Sequence, residues 1–351
     1  MSAAFAISTQ GLTTLVARCN GIESLPRPLA EFLFEETFRA DARAERLRTT
    51  LEETVHSLRA VGVEVVALKG AALAFFHYPA PALRPMGDLD LLLREPHDLA
   101  RATKVLRDAG WRALLDTPRH RVFARLDERV ARPASEDPDN PIRVEIHTSF
   151  RLPVLGCVYD ASAQLLAEAK AHDLGGTSVA VAAGPSLLRH ILFHAAEDFA
   201  GNGIRGIQAH DFRLLSVASG TLTPELSSSE TVRGAAPLLY AADAIQRHFP
   251  STFTDVFLET LASRTGASAR VRAAALPSLR YTRPARGWTR TLLSLVNGPL
   301  PRTRFLLHTL FPTLGEVKAN IAPDATGLAL VAAWIRVLLK RVGLRTPEGP
   351  R

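Results

Sequence analysis

Apolar residues recur at roughly helical spacing from Pro28 to Ala60 (Leu29, Phe32, Leu33, Phe38, Leu47, Leu51, Val55 and Leu58), interleaved with Arg and Glu. That pattern predicts one or two amphipathic helices, ended by Gly62. Val63–Leu68, rich in valine and bounded by Gly62 and Gly70, reads as a short buried strand. Ala71–Tyr78 reads as a helix broken by Pro79 and Pro81, and Asp88–Leu93 as a second strand. Glu95-Pro96 opens a helix to about Ala109, with Leu99, Ala102, Val105 and Leu106 on one face and Gly110 as its stop. Trp111–Leu115, Arg121–Leu126 and Ile142–Phe150 are further strands, the last alternating strictly, and Asp137–Pro141 is a loop. Beyond about Leu152 the pattern turns to alanine- and leucine-rich helices over Ala161–Ala171, Pro185–Phe199, His210–Ala218, Pro237–His248 and Phe253–Ser263. The expectation is an α+β protein: a small mixed sheet flanked by helices, then a mainly helical C-terminal region.

Composition narrows this without redirecting it. The 351 residues, 47% hydrophobic and 22% charged, match ordinary globular usage, and 22 Gly plus 23 Pro without a period exclude collagen-like or low-complexity character. Cys19 and Cys157 are too few for a disulfide framework or a multi-cysteine zinc site, which fits a reducing compartment and predicts a cytoplasmic protein. Met1–Thr9 lack the basic and apolar run of a secretory signal. The longest purely apolar stretch, Leu328–Ile335, is far below the ~18 residues a spanning helix needs, so no transmembrane segment is expected. Of the net charge of +7, Arg270–Arg351 contribute +11 (14 Arg and Lys against 3 acids), leaving the first 269 residues at −4.

Chemistry enters at Gly87-Asp88-Leu89-Asp90-Leu91. Strand side chains alternate faces, so Asp88 and Asp90 point the same way. Two carboxylates that close repel unless a cation sits between them, and Mg²⁺ takes one or two carboxylates together with substrate phosphates. In Arg143-Val144-Glu145-Ile146-His147, Val144 and Ile146 mark the core face while Glu145 and His147 share the other. If the two strands are neighbours, Asp88, Asp90 and Glu145 line one sheet edge, the ligand set for two Mg²⁺ ions ~3.5 to 4 Å apart. Otherwise Glu145 and His147 lie on a solvated face. Lys69-Gly70 closes the first strand and opens a helix, where backbone N–H groups, a glycine and an ammonium make an anion site.

Val66-Ala67-Leu68-Lys69-Gly70-Ala71-Ala72-Leu73, Tyr78-Pro79, Arg84-Pro85-Met86-Gly87-Asp88-Leu89-Asp90-Leu91-Leu92 and Val144-Glu145-Ile146-His147 together resemble the uncharacterised bacterial nucleotidyltransferase family. That family is a branch of the DNA polymerase beta-like nucleotidyltransferase superfamily. The resemblance covers about residues 25 to 215, including Leu187–His194, Arg205 and Asp211, and extends loosely to Leu310-Phe311-Pro312. It implies a nucleotidyltransferase-type sheet whose acids Asp88, Asp90 and Glu145 bind Mg²⁺ and a nucleoside triphosphate, with Lys69 and Gly70 at the phosphates. Two departures stand out. The superfamily places Gly-Ser where this chain has Lys69-Gly70, and Glu145 stands where Asp is usual.

The division that follows is an N-terminal helical segment over residues 1–62, a nucleotidyltransferase core over 63–155 and a helical domain with a basic tail over 156–351. The expected activity moves a nucleoside monophosphate from the triphosphate to an acceptor, favoured as a small molecule, peptide or glycan over RNA. A non-catalytic accessory protein of peptide or polysaccharide biosynthesis is the alternative in another class. A toxin-type enzyme acting on RNA is a third, and the basic C-terminal quarter is the feature pointing to it. Arg84 either neutralises phosphate or balances an acid. Arg119, His120 and Arg121 face the triphosphate or form a solvated turn. His190 and His194, four apart on a helix with Asp198 a turn further on, have metal-ligand spacing, but their Leu, Ile and Phe neighbours favour a packed helix or substrate contact together with His147. Trp334–Val342 has a basic and an apolar face, suited to packing or to an anionic membrane surface.

Overall fold

Two short helices, α1 (Ala3–Thr9) and α2 (Thr13–Arg18), lead into α3 (Arg27–Ala60), so the apolar spacing after Pro28 belongs to one helix of 34 residues. The computed structural model describes residues 3–18, 22–117, 119–125, 139–182, 184–201, 203–219, 235–265 and 326–341, with 293, 296, 302–303, 305–307 and 317. Leu33, Leu47, Leu51, Val55 and Leu58 form the buried stripe of α3. Each such side chain contributes about 1.5 to 3 kcal/mol when fully buried. Phe38, expected on that face, is 74% exposed. At about 100° per residue its nine-residue offset from Leu47 puts it half a turn out of phase. Arg43, four residues before Leu47, is in phase and buried.

Strand β1 (Val65–Ala67) is followed by α4 (Lys69–Phe76), β2 (Asp88–Leu93) and α5 (Leu99–Asp108). The remaining strands are β3 (Arg112–Asp116), β4 (His120–Ala124), β5 (Arg143–His147), β6 (Arg151–Val154), β7 (Cys157–Asp160), β8 (Lys170–Leu174) and β9 (Thr177–Val181). Seven of them form one mixed sheet in the order β3-β4-β5-β2-β1-β9-β8, and β6 with β7 make a separate hairpin. Pairing is parallel for β2 with β5 and for β1 with β9, and antiparallel elsewhere.

The helical pattern expected from Leu152 therefore begins later. Only Ser162–Ala167 (α6) of the expected Ala161–Ala171 helix is helical, and Lys170 already starts β8. β8 is an edge strand with four of its five residues exposed, so it carries no apolar alternation to read. Gly175 and Gly176, both at positive φ, make the two-residue turn into β9.

The helical region comprises α7 (Gly184–Gly201), α8 (Gly206–Ser219), α9 (Ala235–His248), α10 (Asp255–Thr265) and α11 (Gly327–Arg341). The apolar faces of α7 to α10 join those of α3, α4 and the sheet in a single core cluster. Polar contacts fasten the parts. The main-chain N–H groups of Gly206 and Ile207 donate to the Gln10 side-chain and main-chain oxygens at 2.8 and 3.0 Å. No helix among the described residues is long and apolar enough to cross a membrane. Leu310-Phe311-Pro312 and Cys19 lie outside the described residues, as do Asp137 and Pro138 of the expected loop.

Candidate active site

β2 and β5 are parallel neighbours, with Asp88 opposite Arg143, Asp90 opposite Glu145 and Leu92 opposite His147. Leu89, Leu91, Leu93, Val144 and Ile146, all fully buried, take the other face and lock the register, because a one-residue slip would drive the charged set into the core. Asp88, Asp90, Glu145 and His147 consequently share one face of the sheet.

Lys69 reaches this face from the end of β1. Its φ of 44° is a left-handed conformation costing about 1 to 2 kcal/mol for a non-glycine residue, and its Nζ lies 2.6 Å from Asp90 Oδ1. The ammonium read as a phosphate ligand is thus the counter-ion of an acid. Gly70 also has a packing role: a Cβ there would lie 3.1 Å from Met86 Cβ and 3.3 Å from its Sδ, so glycine lets α4 start against the loop that leads to Asp88.

Arg84, the other phosphate candidate, lies on Asp211. Its Nε donates to both carboxylate oxygens at 2.9 and 3.0 Å, and the Tyr78 hydroxyl donates to Asp211 Oδ1 at 2.7 Å. Arg84 is thereby an acid's partner, but of an acid on α8 and not of the strand pair. Arg43, missed in the sequence, donates to the main-chain oxygens of Met86 and Gly87, each at 3.1 Å, and of Asn140 at 2.5 Å. One buried guanidinium on α3 so fixes the chain just before both acid-bearing strands. An arginine in phase with the apolar stripe is the signal that could have found it.

His147 Nε2 lies 2.8 Å from Asp90 Oδ1 and 3.7 Å from Glu145 Oε2, and its ring stacks on His120 at 5.3 Å. His120 begins β4 instead of sitting in a solvated turn, whereas Arg121 turns to Thr103 and Asp116. His194 Nδ1 pairs with Asp198 Oδ2 at 2.8 Å on α7. His190 is fully buried against Phe150, ring centroids 3.8 Å apart, and neither ring nitrogen has a hydrogen-bond partner among the described residues.

The electrostatics follow from crowding acids at low dielectric. Burial, then the charge of Asp90, raises Asp88. Burial, then Asp90 and Asp88, pushes Glu145 up to about 8. Burial would raise Asp90 as well, but Lys69 and the His147 hydrogen bond outweigh it and hold Asp90 well below the usual carboxylate range. Burial keeps His147 neutral against the pull of Asp90 and takes His190 further down. Against burial, Asp198 draws His194 up.

Glu145 and His147 open, with Lys69, Arg119, His120 and Phe150, onto a pocket of about 180 Å³. A second cavity of about 70 Å³ lies beside Met86, lined by Thr13, Thr14, Arg43 and Arg84 but by none of the three acids. Asp90, Glu145 and His147 could hold a metal ion: one donor atom from each lies within 4.8 Å of the others.

A family model described as uncharacterised nucleotidyltransferase matches residues 6–245. Among solved structures, an antigenic nucleotidyltransferase-like protein from Paracoccidioides brasiliensis is similar at 16% identity and a TM-score of 0.36, over 64% of this chain and 96% of that one. No curated protein matches the sequence.

Proposed function

Because this chain belongs to the uncharacterised nucleotidyltransferase family, we propose that it moves a nucleoside monophosphate from a nucleoside triphosphate to an acceptor and releases pyrophosphate. The observation that carries this reading is the register of β2 and β5, which sets Asp90 opposite Glu145 with Asp88 on the same face. Asp88 and Glu145, both raised by burial and then by neighbouring negative charge, are donors a divalent cation would relieve, so the acids fit Mg²⁺. When bound, the metal supplies charge neutralisation to the triphosphate and the acceptor oxygen.

The chain's own residues do the rest by position. An acceptor oxygen forms a bond to the α-phosphorus, the bond from that phosphorus to the bridging oxygen breaks, and pyrophosphate leaves with the electron pair. Glu145, ionised on the face it shares with the two aspartates, takes the acceptor proton. Lys69, released from Asp90, holds phosphate oxygens. Arg43 keeps the acids in register. Catalysis of this kind is positioning and electrostatics.

One observation favours the non-catalytic alternative: Asp90 already accepts from both Lys69 and His147. Calorimetry with nucleoside triphosphates and Mg²⁺, and a lysate assay with labelled triphosphate, separate the two. Metal-dependent triphosphate binding and labelled product, both lost in Asp90→Asn with the circular dichroism unchanged, are expected. An active, folded Asp90→Asn protein, or no triphosphate binding to the wild type, would remove the reading.

A further inference from the structure

The three donors nearest one another at the candidate site are not three carboxylates but two and an imidazole. Cations of the Mg²⁺ and Mn²⁺ size bind oxygen and nitrogen at about 2.0 to 2.2 Å, so adjacent ligand atoms of an octahedral site stand about 3 Å apart and opposite ones a little over 4 Å. His147 Nε2 lies 2.8 Å from Asp90 Oδ1 and 3.7 Å from Glu145 Oε2. The set as a whole closes within 4.8 Å. The first two are separations of ligand atoms arranged around one small cation. The imidazole is also held in place: it is buried, stacked on His120 and 6.2 Å from the Phe150 ring.

We infer that His147 is a direct metal ligand through Nε2, completing a two-carboxylate, one-imidazole site with Asp90 and Glu145 that prefers Mn²⁺ to Mg²⁺. This inference rests on the nucleotidyltransferase reading of the same site. In metal-free protein Nε2 carries the proton and donates to Asp90. On metal binding that proton belongs on Nδ1, and the Nε2 lone pair turns to the cation. Mg²⁺ takes oxygen donors almost exclusively, whereas first-row transition ions accept an imidazole, so one nitrogen donor disfavours Mg²⁺ relative to Mn²⁺, an ion of similar size and octahedral geometry. Lys69, 2.6 Å from the same Asp90 oxygen, is the group the cation displaces.

Affinity alone does not separate a ligand from a residue that merely orients one, since losing either weakens binding by about 10- to 100-fold. The decisive measurement is pulsed EPR of Mn²⁺ bound to the full chain, reading hyperfine coupling to a coordinated nitrogen. A nitrogen coupling in the wild type, retained in His120→Asn and absent in His147→Asn, is expected, with Mn²⁺ bound at least tenfold more tightly than Mg²⁺ by calorimetry. Should His147→Asn fail to fold, wild-type protein with ¹⁵N-histidine answers alone: the modulation frequencies must change. Bound Mn²⁺ with no coordinated nitrogen overturns the inference and leaves the proposed activity standing, as does a coupling that survives His147→Asn. No saturable Mn²⁺ binding, with or without triphosphate, overturns both.

Discussion

A cation at this site should release a proton. Glu145 is pushed from 4.5 to about 8 by burial, and then by the charges of Asp90 and Asp88. A group of that pKa is about nine-tenths protonated at pH 7. A divalent cation supplies the charge for which the proton stands in, so Mg²⁺ or Mn²⁺ binding at pH 7 is expected to expel about one proton per site. Calorimetric titrations in two buffers of different ionisation enthalpy give that number directly. Apparent affinity should rise by up to about tenfold per pH unit from pH 6 and level off above about pH 8.

The same shift has a stability consequence. Between 4.5 and about 8 the folded protein holds a proton on Glu145 that the unfolded chain has lost, so metal-free stability declines as pH rises through that window. Glu145 is 17% exposed, so little solvent screening applies, and the full span of about 3.5 pH units sets an upper bound of about 5 kcal/mol. Saturating cation removes the decline, and Glu145→Gln removes both the decline and the proton release. A pH-independent metal affinity between pH 6 and 8, with no proton expelled, would show that the three acids do not share a cation.

Arg43→Met strips three main-chain carbonyls of a charged donor and is expected to lower stability by about 3 to 5 kcal/mol. Arg43→Lys should recover only part of this, because an ammonium cannot fork to three acceptors; denaturant titration of both variants is the check, and a Met variant within about 0.5 kcal/mol of wild type would remove the clamp. His190→Leu deletes two buried nitrogens that have no partner among the described residues and is expected to be neutral or to raise the melting temperature. A loss of more than about 1 kcal/mol would mean that a substrate group or ordered water satisfies the ring.

How much of this was legible in the sequence depends on where each residue sits. β2 runs Asp88–Leu93 as expected because its alternation and flanking turns agree, and the shared face of Asp88 and Asp90 follows from strand geometry. That β5 lies beside β2 was only a condition in the sequence, since nothing local fixes which strands pair. Arg84 and Asp211 are 127 residues apart, and one sequence carries no sign of that pairing. The direction of Lys69 depends on a left-handed φ that a lysine does not advertise. The burial of His190 was readable from its Leu, Ile and Phe neighbours; its unpaired nitrogens were not. β8 was missed because an exposed edge strand has no apolar period to detect.

What the fold does with its acids reduces to a charge count on one buried surface. Asp88, Asp90 and Glu145 carry three negative charges when ionised, and Lys69 returns one. His147, kept neutral by burial, returns none. Arg143 and, at Asp88, His194 offset part of the remaining deficit but not all of it, and desolvating an ion that is incompletely paired costs several kcal/mol. The shifts record the remedy: Asp90, which has Lys69, stays ionised, while Asp88 and Glu145 move toward their protonated forms. Under the proposed activity a single divalent cation would cancel the same deficit without protons and would leave Glu145 to act as a base. Lys69 would then be redundant at Asp90 and available to an incoming polyphosphate. Lys69, which stands at the turn where the wider superfamily has Gly-Ser, is in this structure the counter-ion that keeps Asp90 ionised beside the other two acids.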